Sequence, residues 1–214
     1  ILNYTKNKDD KSSLELSGKY SASNNINLEK IKFNHNKNFI NIQNVKINRN
    51  KKIKSIDNIK VSVFNNNNKL SKLDIKKDKK NYLINSKIFD GTKLVDEILF
   101  SKEESNFFEL FNNLDSNILI KIDTAYLSQE DYLTSLNTNI IIKNNQILDL
   151  NLSSKFPNND EFKVSVKTNQ NKEKITTVFT NYAKPLVKKY KFIKGFEGGA
   201  LDFYSCLLYT SDAA

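Results

Sequence analysis

Residues 174–205 read KITTVFTNYAKPLVKKYKFIKGFEGGALDFYS, and this stretch contains every kind of element that the fold requires. A β-branched run at 175–180 predicts a strand. Apolar residues at helical spacing follow it and predict a short amphipathic helix with one apolar face: Tyr182, Leu186, Val187 and Tyr190. A second strand is predicted at 200–204. The order is therefore strand, helix, glycine corner, strand.

The helix in this stretch has recognisable start and stop signals. Asn181 is suited to the N-cap because its amide oxygen can accept a backbone N–H of the first turn. Pro185 fits the first turn, where no N–H is needed, and Gly195 predicts a left-handed end. Gly198 and Gly199 predict a tight corner with close backbone packing. The helix, by this pattern, spans 184–193 and closes one part of a sheet.

Short runs of alternating apolar and polar residues fill most of the remaining chain. Each run is bounded by Asn, Asp, Ser or Lys, which is typical of successive antiparallel strands. The alternation changes phase between Leu28 and Ile31, which predicts a bulge or a turn. Ile140 to Ile142 are apolar at both parities. Sequential strands joined by short polar turns predict a meander.

A different pattern occupies residues 92–114. Apolar residues at helical spacing predict a first helix there (Leu94, Val95, Ile98, Leu99) and a second (Phe107, Leu110, Phe111, Leu114). A capping-box pattern at 101–104 separates the two. The phenylalanine stripe favours core packing, with contact to a hydrophobic ligand as the alternative.

The fold class predicted from these patterns is mainly β: an elongated, twisted antiparallel sheet forming a groove or gutter, with two or three short amphipathic helices. The predicted divisions are an antiparallel β segment at 1–89, a helix pair with a β-meander at 90–205, and a tail at 206–214. The tail reads CLLYTSDAA, which looks like the translation of a sequencing adapter, so we expect it to be non-native and poorly packed. The chain begins at Ile1 and shows neither a signal peptide nor an apolar run long enough to cross a membrane.

The composition argues against several classes of function. The net charge is +10, but Arg49 is the only arginine and the lysines are scattered, which favours a solvated surface over a nucleic-acid interface. His35 is the only histidine and lies in a polar, turn-like stretch without an acid at triad or metal spacing. Cys206 is the only cysteine, and the glycine pair lacks the spacing of a phosphate cradle. We therefore expect no enzyme activity, no catalytic residue, no metal and no cofactor.

The pattern of the stretch at 174–205 resembles the C-terminal regions of AsmA-like envelope proteins, the superfamily that includes YhdP and TamB. In those regions a strand is followed by a helix start, a leucine-rich helix, a Gly-Gly pair and a last strand. Here 180–183 stands at the helix start and Gly198-Gly199 at the glycine pair, although Asn181 replaces an acid and Ala183 a glycine. The resemblance extends best over 81–205. It implies a periplasm-spanning protein, anchored in the inner membrane outside this fragment, that moves phospholipid toward the outer membrane.

Two functions of different class remain open. One is a passive lipid conduit, in which phospholipid acyl chains lie on the apolar face of a curved sheet. The predicted groove residues share one parity within their strands: Ile118, Ile120, Ile122, Leu148, Leu150, Leu152, Phe162, Val164 and Val166. The alternative is a structural or adhesive envelope protein whose apolar faces close against each other as a sandwich. Alternation alone does not distinguish an open groove from a closed core.

Overall fold

A computed structural model of the chain describes residues 9–21, 25–65, 68–92, 110–169, 173–190 and 197–208. Twelve strands form one twisted, unclosed sheet, and their order in space is their order in the sequence. The predicted mainly-β class is therefore confirmed. The strands are β1 (Ser13–Tyr20), β2 (Ile26–His35), β3 (Asn38–Ile47), β4 (Ile53–Phe64), β5 (Leu70–Asp78), β6 (Asn81–Asp90), β7 (Ser116–Tyr126), β8 (Tyr132–Lys143), β9 (Gln146–Lys155), β10 (Glu161–Thr168), β11 (Glu173–Thr180) and β12 (Leu201–Leu208), and helix α1 spans Lys184–Tyr190.

The abundant asparagine has a structural use in the hairpins. Lys143 pairs with Gln146 around a two-residue turn in which Asn144 and Asn145 both have positive φ, 49° and 65°. Two positive φ angles give the turn whose twist matches that of paired strands, and asparagine tolerates this conformation better than most residues. Asn36 has the same backbone conformation in the β2–β3 turn, with φ 52°. Asparagine thus helps to make the tight connections of the meander.

One junction departs from the predicted antiparallel meander. Strands β6 and β7 are parallel neighbours, whereas the other neighbouring pairs are antiparallel. A parallel pair requires a connection that returns along the full length of the strands. The helix-patterned segment at 92–114 lies within that connection, so the change of pattern after residue 89 coincides with a change of topology within one sheet.

The second helix predicted before β7 is wrong at its C-terminal part. Phe111 forms a parallel β-bridge with Ile53, and the Asn112 N–H donates to the Ile53 carbonyl oxygen at 2.9 Å. The Leu114 N–H donates to the Asn145 side-chain oxygen at 2.5 Å. These tertiary hydrogen bonds replace the helical ones that the apolar spacing predicted. Thr92 is helical, as predicted for the start of the first helix, and residues 93–109 lie outside the described residues.

The phase change between Leu28 and Ile31 is a β-bulge, as predicted. Ser17 pairs with Lys30 and Gly18 pairs with Leu28, so one residue of β2 has no cross-strand partner in β1. A Cβ on Gly18 would lie 2.4 Å from the Asn27 carbonyl oxygen and 2.8 Å from the Leu28 Cα. Only glycine lets the two backbones approach this closely at the bulge.

Helix α1 and the glycine corner lie as predicted, with one correction. The Ala183 carbonyl oxygen accepts from Leu186 N–H and Val187 N–H, so Ala183 and not Asn181 occupies the capping position. The Ala183 N–H in turn donates to the Gly199 carbonyl oxygen at 2.7 Å, and Gly199 has φ 93°. The glycine corner therefore binds the start of the helix directly. Gly195, the predicted helix end, lies outside the described residues.

Strand β12 continues past residue 205 into the predicted tail. Cys206, Leu207 and Leu208 pair with Ile175, Lys174 and Glu173 of β11. Cys206 is exposed, and residues 209–214 lie outside the described residues. The first three tail residues therefore take part in the sheet, at its edge, and the non-native origin of the tail stays a prediction.

Candidate functional site

A single row of side chains crosses the whole sheet perpendicular to the strands. Each strand contributes one residue, and each residue is the direct cross-strand partner of the next. Apart from one threonine, the row is apolar: Leu16, Ile31, Ile42, Ile59, Ile75, Ile84, Ile120, Thr138, Leu152, Val164, Val178 and Phe203. We call these twelve residues the apolar row. Eleven strand spacings of about 4.8 Å make it about 50 Å long.

The adjacent row on the opposite face has the reverse character. Apart from one phenylalanine, its members are polar or charged: Glu15, Lys32, Asn41, Lys60, Asp74, Asn85, Lys121, Asn137, Ser153, Lys163, Phe179 and Asp202. Successive residues of a strand point to opposite faces. The sheet is therefore amphipathic over its whole width, and the fold is groove-like.

Most of the apolar row is half-buried. Leu16 and Phe203, at the two edges, are 58% and 47% exposed, whereas the ten members between them are half-buried except for the buried Thr138. Neighbours in the row shield each side chain from two sides, and full burial of a large side chain needs a second layer above the sheet. The intermediate burial of nine isoleucine, leucine and valine positions, six before Thr138 and three after it, is the pattern of an apolar surface that the described residues cover incompletely.

The nine predicted groove residues lie in or beside this row, on the same face. Ile120, Leu152 and Val164 belong to the apolar row itself. Ile118, Leu150 and Val166 belong to the parallel row next to it, and Leu148 lies at the bulge where β9 shifts register against β8. Ile122 and Phe162 lie on the other side, in the row that contains Leu136 and Ser154. The structure thus brings the predicted set together.

The predicted set contains no residue of β8. This strand lies between β7 and β9 and contributes Leu136, Thr138 and Ile140 to the same face. The parity of β8 was hidden because Ile140, Ile141 and Ile142 are all apolar. Ser135, with φ 52°, adds an irregularity near the start of β8 that alternation does not reveal.

One end of the apolar face is closed. We call the following cluster of buried residues the closed core: Phe89, Ile122, Ala125, Leu127, Leu133, Phe156, Phe162 and Leu186. The Phe156 ring packs tilted on Phe162 at 5.8 Å and edge-on against Tyr182 at 5.3 Å between centroids. Leu186 brings α1 into this cluster, and Ile120, Leu152 and Val164 pack against it. Toward the other end of the strands, Ile118, Leu148 and Leu150 are half-buried, whereas Ile142 and Val166 are buried.

Polar groups at the closed end serve as structural ties. Asp90 is 2% exposed, accepts from the Thr92 hydroxyl at 2.7 Å and the Thr92 N–H at 3.1 Å, and also accepts from the Asn65 amide. Lys69 donates to the Ser128 carbonyl oxygen at 2.9 Å and lies 3.8 Å above the Tyr126 ring. Burial lowers the pKa of Lys69, while Asp90 opposes this effect. These contacts join the β4–β5 turn to the ends of β6 and β7.

Tyr82 has a perturbed pKa beside the apolar row. Its hydroxyl lies near the backbone of Ile56, and burial raises its pKa, partly offset by a hydrogen bond with that backbone. Strand β5 pairs with β4 only from Asn58 onward, so the residues of β4 before Asn58 have no partner in β5. The contact with Ile56 therefore joins Tyr82 of β6 to this part of β4.

His35 differs from its expected setting. It is the last residue of β2, is 5% exposed, and has its Nε2 atom 3.2 Å from Asp10 Oδ2. The polar turn predicted for it begins at the next residue. Within the described part of the chain, no group of three His, Cys, Asp or Glu residues is arranged to hold a metal ion. No helix in those same ranges is both long enough and apolar enough to cross a membrane.

Comparison with known proteins identifies no relative of this chain: no protein-family model, curated protein or solved structure matches it.

Proposed function

We propose that this chain is a segment of a periplasm-spanning β-groove protein of the AsmA-like type, which carries phospholipid between the inner and outer membranes as a passive hydrophobic conduit. In this function acyl chains lie along the apolar row while the headgroups remain in water. No catalytic residue, cofactor or metal takes part. The protein would reside in the periplasm, tethered to the bacterial inner membrane by a segment outside this chain.

The observation that carries the proposal is the continuity of the apolar row across all twelve strands. A core that serves only stability needs apolar residues where a second layer covers them. Here the apolar character extends to both edges of the sheet, where Leu16 and Phe203 are exposed. A lipid moving across the strands would meet an apolar side chain at almost every step, with Thr138 as the one polar interruption.

The energetics of such a surface suit transport. Each methylene removed from water contributes about 0.8 kcal/mol, so an acyl chain binds without any specific polar contact. Because consecutive members of the row are chemically similar, neighbouring positions of the lipid have similar free energies. A lipid can therefore shift by one strand without leaving a deep free-energy minimum. The row itself gives the movement no direction, so another component must supply the direction of transport.

Site-specific photo-crosslinking tests the proposal directly. A benzophenone side chain replaces Leu150 on the apolar face or, as the matched control, the neighbouring Asn151, which is exposed on the opposite face. After irradiation in bacterial membrane extract, mass spectrometry should detect phospholipid adducts from position 150 and few from position 151. Equal labelling at the two positions, or protein-only adducts from position 150, contradicts the conduit.

A structural or adhesive function without a ligand is the competing proposal, and the closed core favours it. Phe156 and Leu133 are both 1% exposed, which is the packing of an ordinary protein interior. If protein covers the whole apolar face in the same way, no lipid has access to it. Native mass spectrometry of the purified chain separates the two functions, since a conduit should retain co-purified phospholipid and a structural protein should not.

A further inference from the structure

A small cavity lies at the closed end of the sheet, and its walls come from three separate segments of the chain. Its volume is about 130 Å³. The aromatic rings of Tyr132, Phe156 and Tyr182 line it, together with the rings of the only two prolines in the chain, Pro157 and Pro185. A cavity of about 150 Å³ in a protein interior holds a benzene molecule. The space therefore suits a compact apolar group that is slightly smaller than benzene.

The polar part of the lining is acidic. Glu130 and Asp131 lie in the β7–β8 turn, and Asn158 lies in the β9–β10 turn. The Asn158 amide donates to Asp160 Oδ2 at 2.7 Å, which brings a third carboxylate next to the lining. No lysine, arginine or histidine is among the described residues that line the cavity. In a chain with a net charge of +10, this local excess of carboxylates favours a cationic ligand.

Hydrogen bonds and ring packing hold these walls in place. The Leu127 N–H donates to the Asp131 carbonyl oxygen at 2.9 Å and closes the β7–β8 turn. The Phe156 N–H donates to the Asp160 carbonyl oxygen, also at 2.9 Å, and closes the β9–β10 turn. The rings of Phe156 and Tyr182 pack edge-on at 5.3 Å between centroids. The cavity is therefore formed by the fold itself, which lowers the cost of ordering it around a ligand.

The same end of the sheet already holds an ammonium group against a tyrosine ring. Lys69 Nζ lies 3.8 Å from the centroid of the Tyr126 ring. The Tyr126 ring in turn packs at 5.7 Å against the ring of Tyr132, which lines the cavity. Aromatic rings attract cations, and rings grouped around a cation are a common means of recognising quaternary ammonium ligands. The cavity offers such rings together with two carboxylates.

We propose that this cavity binds a quaternary ammonium group, such as the trimethylammonium end of choline. The aromatic rings contact the methyl groups, and Glu130 and Asp131 balance the positive charge. An anionic ligand is disfavoured because it would meet two carboxylates and no cation in the lining. A primary ammonium group donates up to three hydrogen bonds, and the rings that form most of this lining do not supply three acceptors.

Lys188 lies at the edge of the acidic side. Its Nζ is 3.2 Å from Glu130 Oε2, and Glu130 raises the pKa of Lys188, first through that hydrogen bond and then through charge attraction. The two side chains are 65% and 80% exposed, so solvent screens the pair. A ligand cation therefore competes with Lys188 for Glu130. Lys188→Ala should tighten binding by about twofold to threefold.

A titration of the lipid-free chain with choline tests the proposal. Saturation-transfer NMR should detect magnetisation passing from the protein to the choline methyl protons. The uncharged carbon analogue of choline, dimethylbutanol, has nearly the same shape and should bind at least about tenfold more weakly, because it lacks the attraction to the rings and carboxylates. This comparison separates recognition of the charge from simple filling of an apolar space.

Substitutions then locate the binding site. Asp131→Asn removes a charge but keeps an oxygen that can accept from the Ser128 hydroxyl, and it should weaken choline binding by about fivefold. Tyr182→Leu removes a ring but keeps an apolar side chain, and it should weaken binding by about tenfold. The matched control is Asp123→Asn, the same charge change at an exposed residue of β7, which should leave binding unchanged. Urea denaturation checks that each variant is folded.

Glycerophosphocholine distinguishes the two sources of this chemistry. Binding as tight as that of choline would assign the cavity to a lipid headgroup, because the adjoining phosphate is then tolerated beside Glu130. Weaker binding would assign it to a free ammonium compound. Since this ligand has no acyl chain and does not occupy the apolar row, the result is independent of the proposed transport function.

Three results would overturn the proposal. The first is an absence of saturation transfer to choline in the unaltered chain. The second is equal binding of choline and dimethylbutanol, which would show that the charge is not recognised. The third is unchanged choline affinity in both folded variants, Asp131→Asn and Tyr182→Leu, which would place the binding outside this cavity.

Discussion

Val164 and Ile42 occupy equivalent positions in the apolar row but different surroundings. Both are direct cross-strand partners of apolar residues on each side. Val164, however, packs against the closed core, where Phe156 and α1 provide a second layer, whereas Ile42 lies in β3, outside that cluster. Both side chains are half-buried, so the comparison teaches that alternation along a strand sets which face is apolar, while the contacts above that face depend on tertiary packing.

The largest difference in stability should come from placing a carboxylate in the closed core and, for comparison, on the half-buried part of the apolar face. Leu133→Asp introduces a carboxylate at a position 1% exposed in the closed core, and we expect a loss of stability above about 4 kcal/mol or failure to fold. Leu150→Asp places the same group on the half-buried face, where it can reach water, and should cost about 1–2 kcal/mol. Urea denaturation of both variants checks this. Equal collapse of both would show that the face at Leu150 is closed.

Removing an aromatic ring should destabilise the protein less than a buried charge does, and again more in the closed core than at the sheet edge. Phe156→Ala deletes a ring that is 1% exposed and contacts two other rings, so unfolding free energy should fall by about 3–5 kcal/mol. Phe203→Ala removes a ring that is 47% exposed at the sheet edge and should cost less than about 1 kcal/mol. Thermal and chemical denaturation measure both. A comparable loss at Phe203 would indicate that an unseen layer covers the edge.

Replacing threonine by valine should lower the unfolding free energy at one position and leave it unchanged or raise it at another. Thr180, at the closed end, is fully buried and its hydroxyl oxygen accepts the Tyr182 N–H at 3.0 Å, so Thr180→Val should destabilise by about 1 kcal/mol. Thr138, in the apolar row, has a buried hydroxyl without a hydrogen-bond partner among the described residues. Thr138→Val should therefore be neutral or stabilising by up to about 1 kcal/mol. Destabilisation at Thr138 would reveal a polar contact within the row.

The smallest effect concerns the exposed edge. The Lys30 ammonium donates to Glu15 and lowers the pKa of its carboxyl group, mainly through that hydrogen bond and then through charge attraction. In Lys30→Ala the pKa of Glu15 should rise toward its ordinary value, as followed by carbon-13 NMR titration. Because the pKa of Glu15 is lower in the folded protein, its contact with Lys30 stabilises the fold above the ordinary carboxyl pKa. This stabilisation is lost as the pH falls through the lowered pKa. An unchanged pKa would mean that the carboxylate has another cationic partner.

Much of the fold was predictable because its interactions are local. The alternation that defines the strands, the bulge after Leu28 and the glycine corner before β12 all depend on neighbouring residues or on backbone conformation. The parallel junction of β6 and β7 was not predictable in this way. Phe111 and Leu114 have the spacing of a helix. Their conformation is determined instead by a β-bridge to Ile53 and a hydrogen bond to Asn145, two residues that are distant in sequence.

The candidate site shows the same division. The parity of residues such as Ile120, Leu152 and Val164 predicted that they share a face, since side chains of a strand alternate strictly. The insertion of β8 between β7 and β9, and the continuation of the row through Ile31, Ile42 and Ile59, required the strand pairings. No periodicity in one strand specifies the register of its neighbour when both parities are apolar, as at Ile140 to Ile142.

By itself, the sequence determined an amphipathic, mainly-β chain with its turns at asparagine and glycine, because period-two alternation and positive φ angles are properties of a few adjacent residues. The tertiary structure alone decided that twelve strands join into a single unclosed sheet, that one residue of each strand, apolar in all but β8, aligns into one row, and that α1 and Phe156 pack over one end of that face. The physical reason is that strand register and burial depend on contacts between residues far apart in the chain. The same face can therefore be core at Phe162 and half-open surface at Leu150.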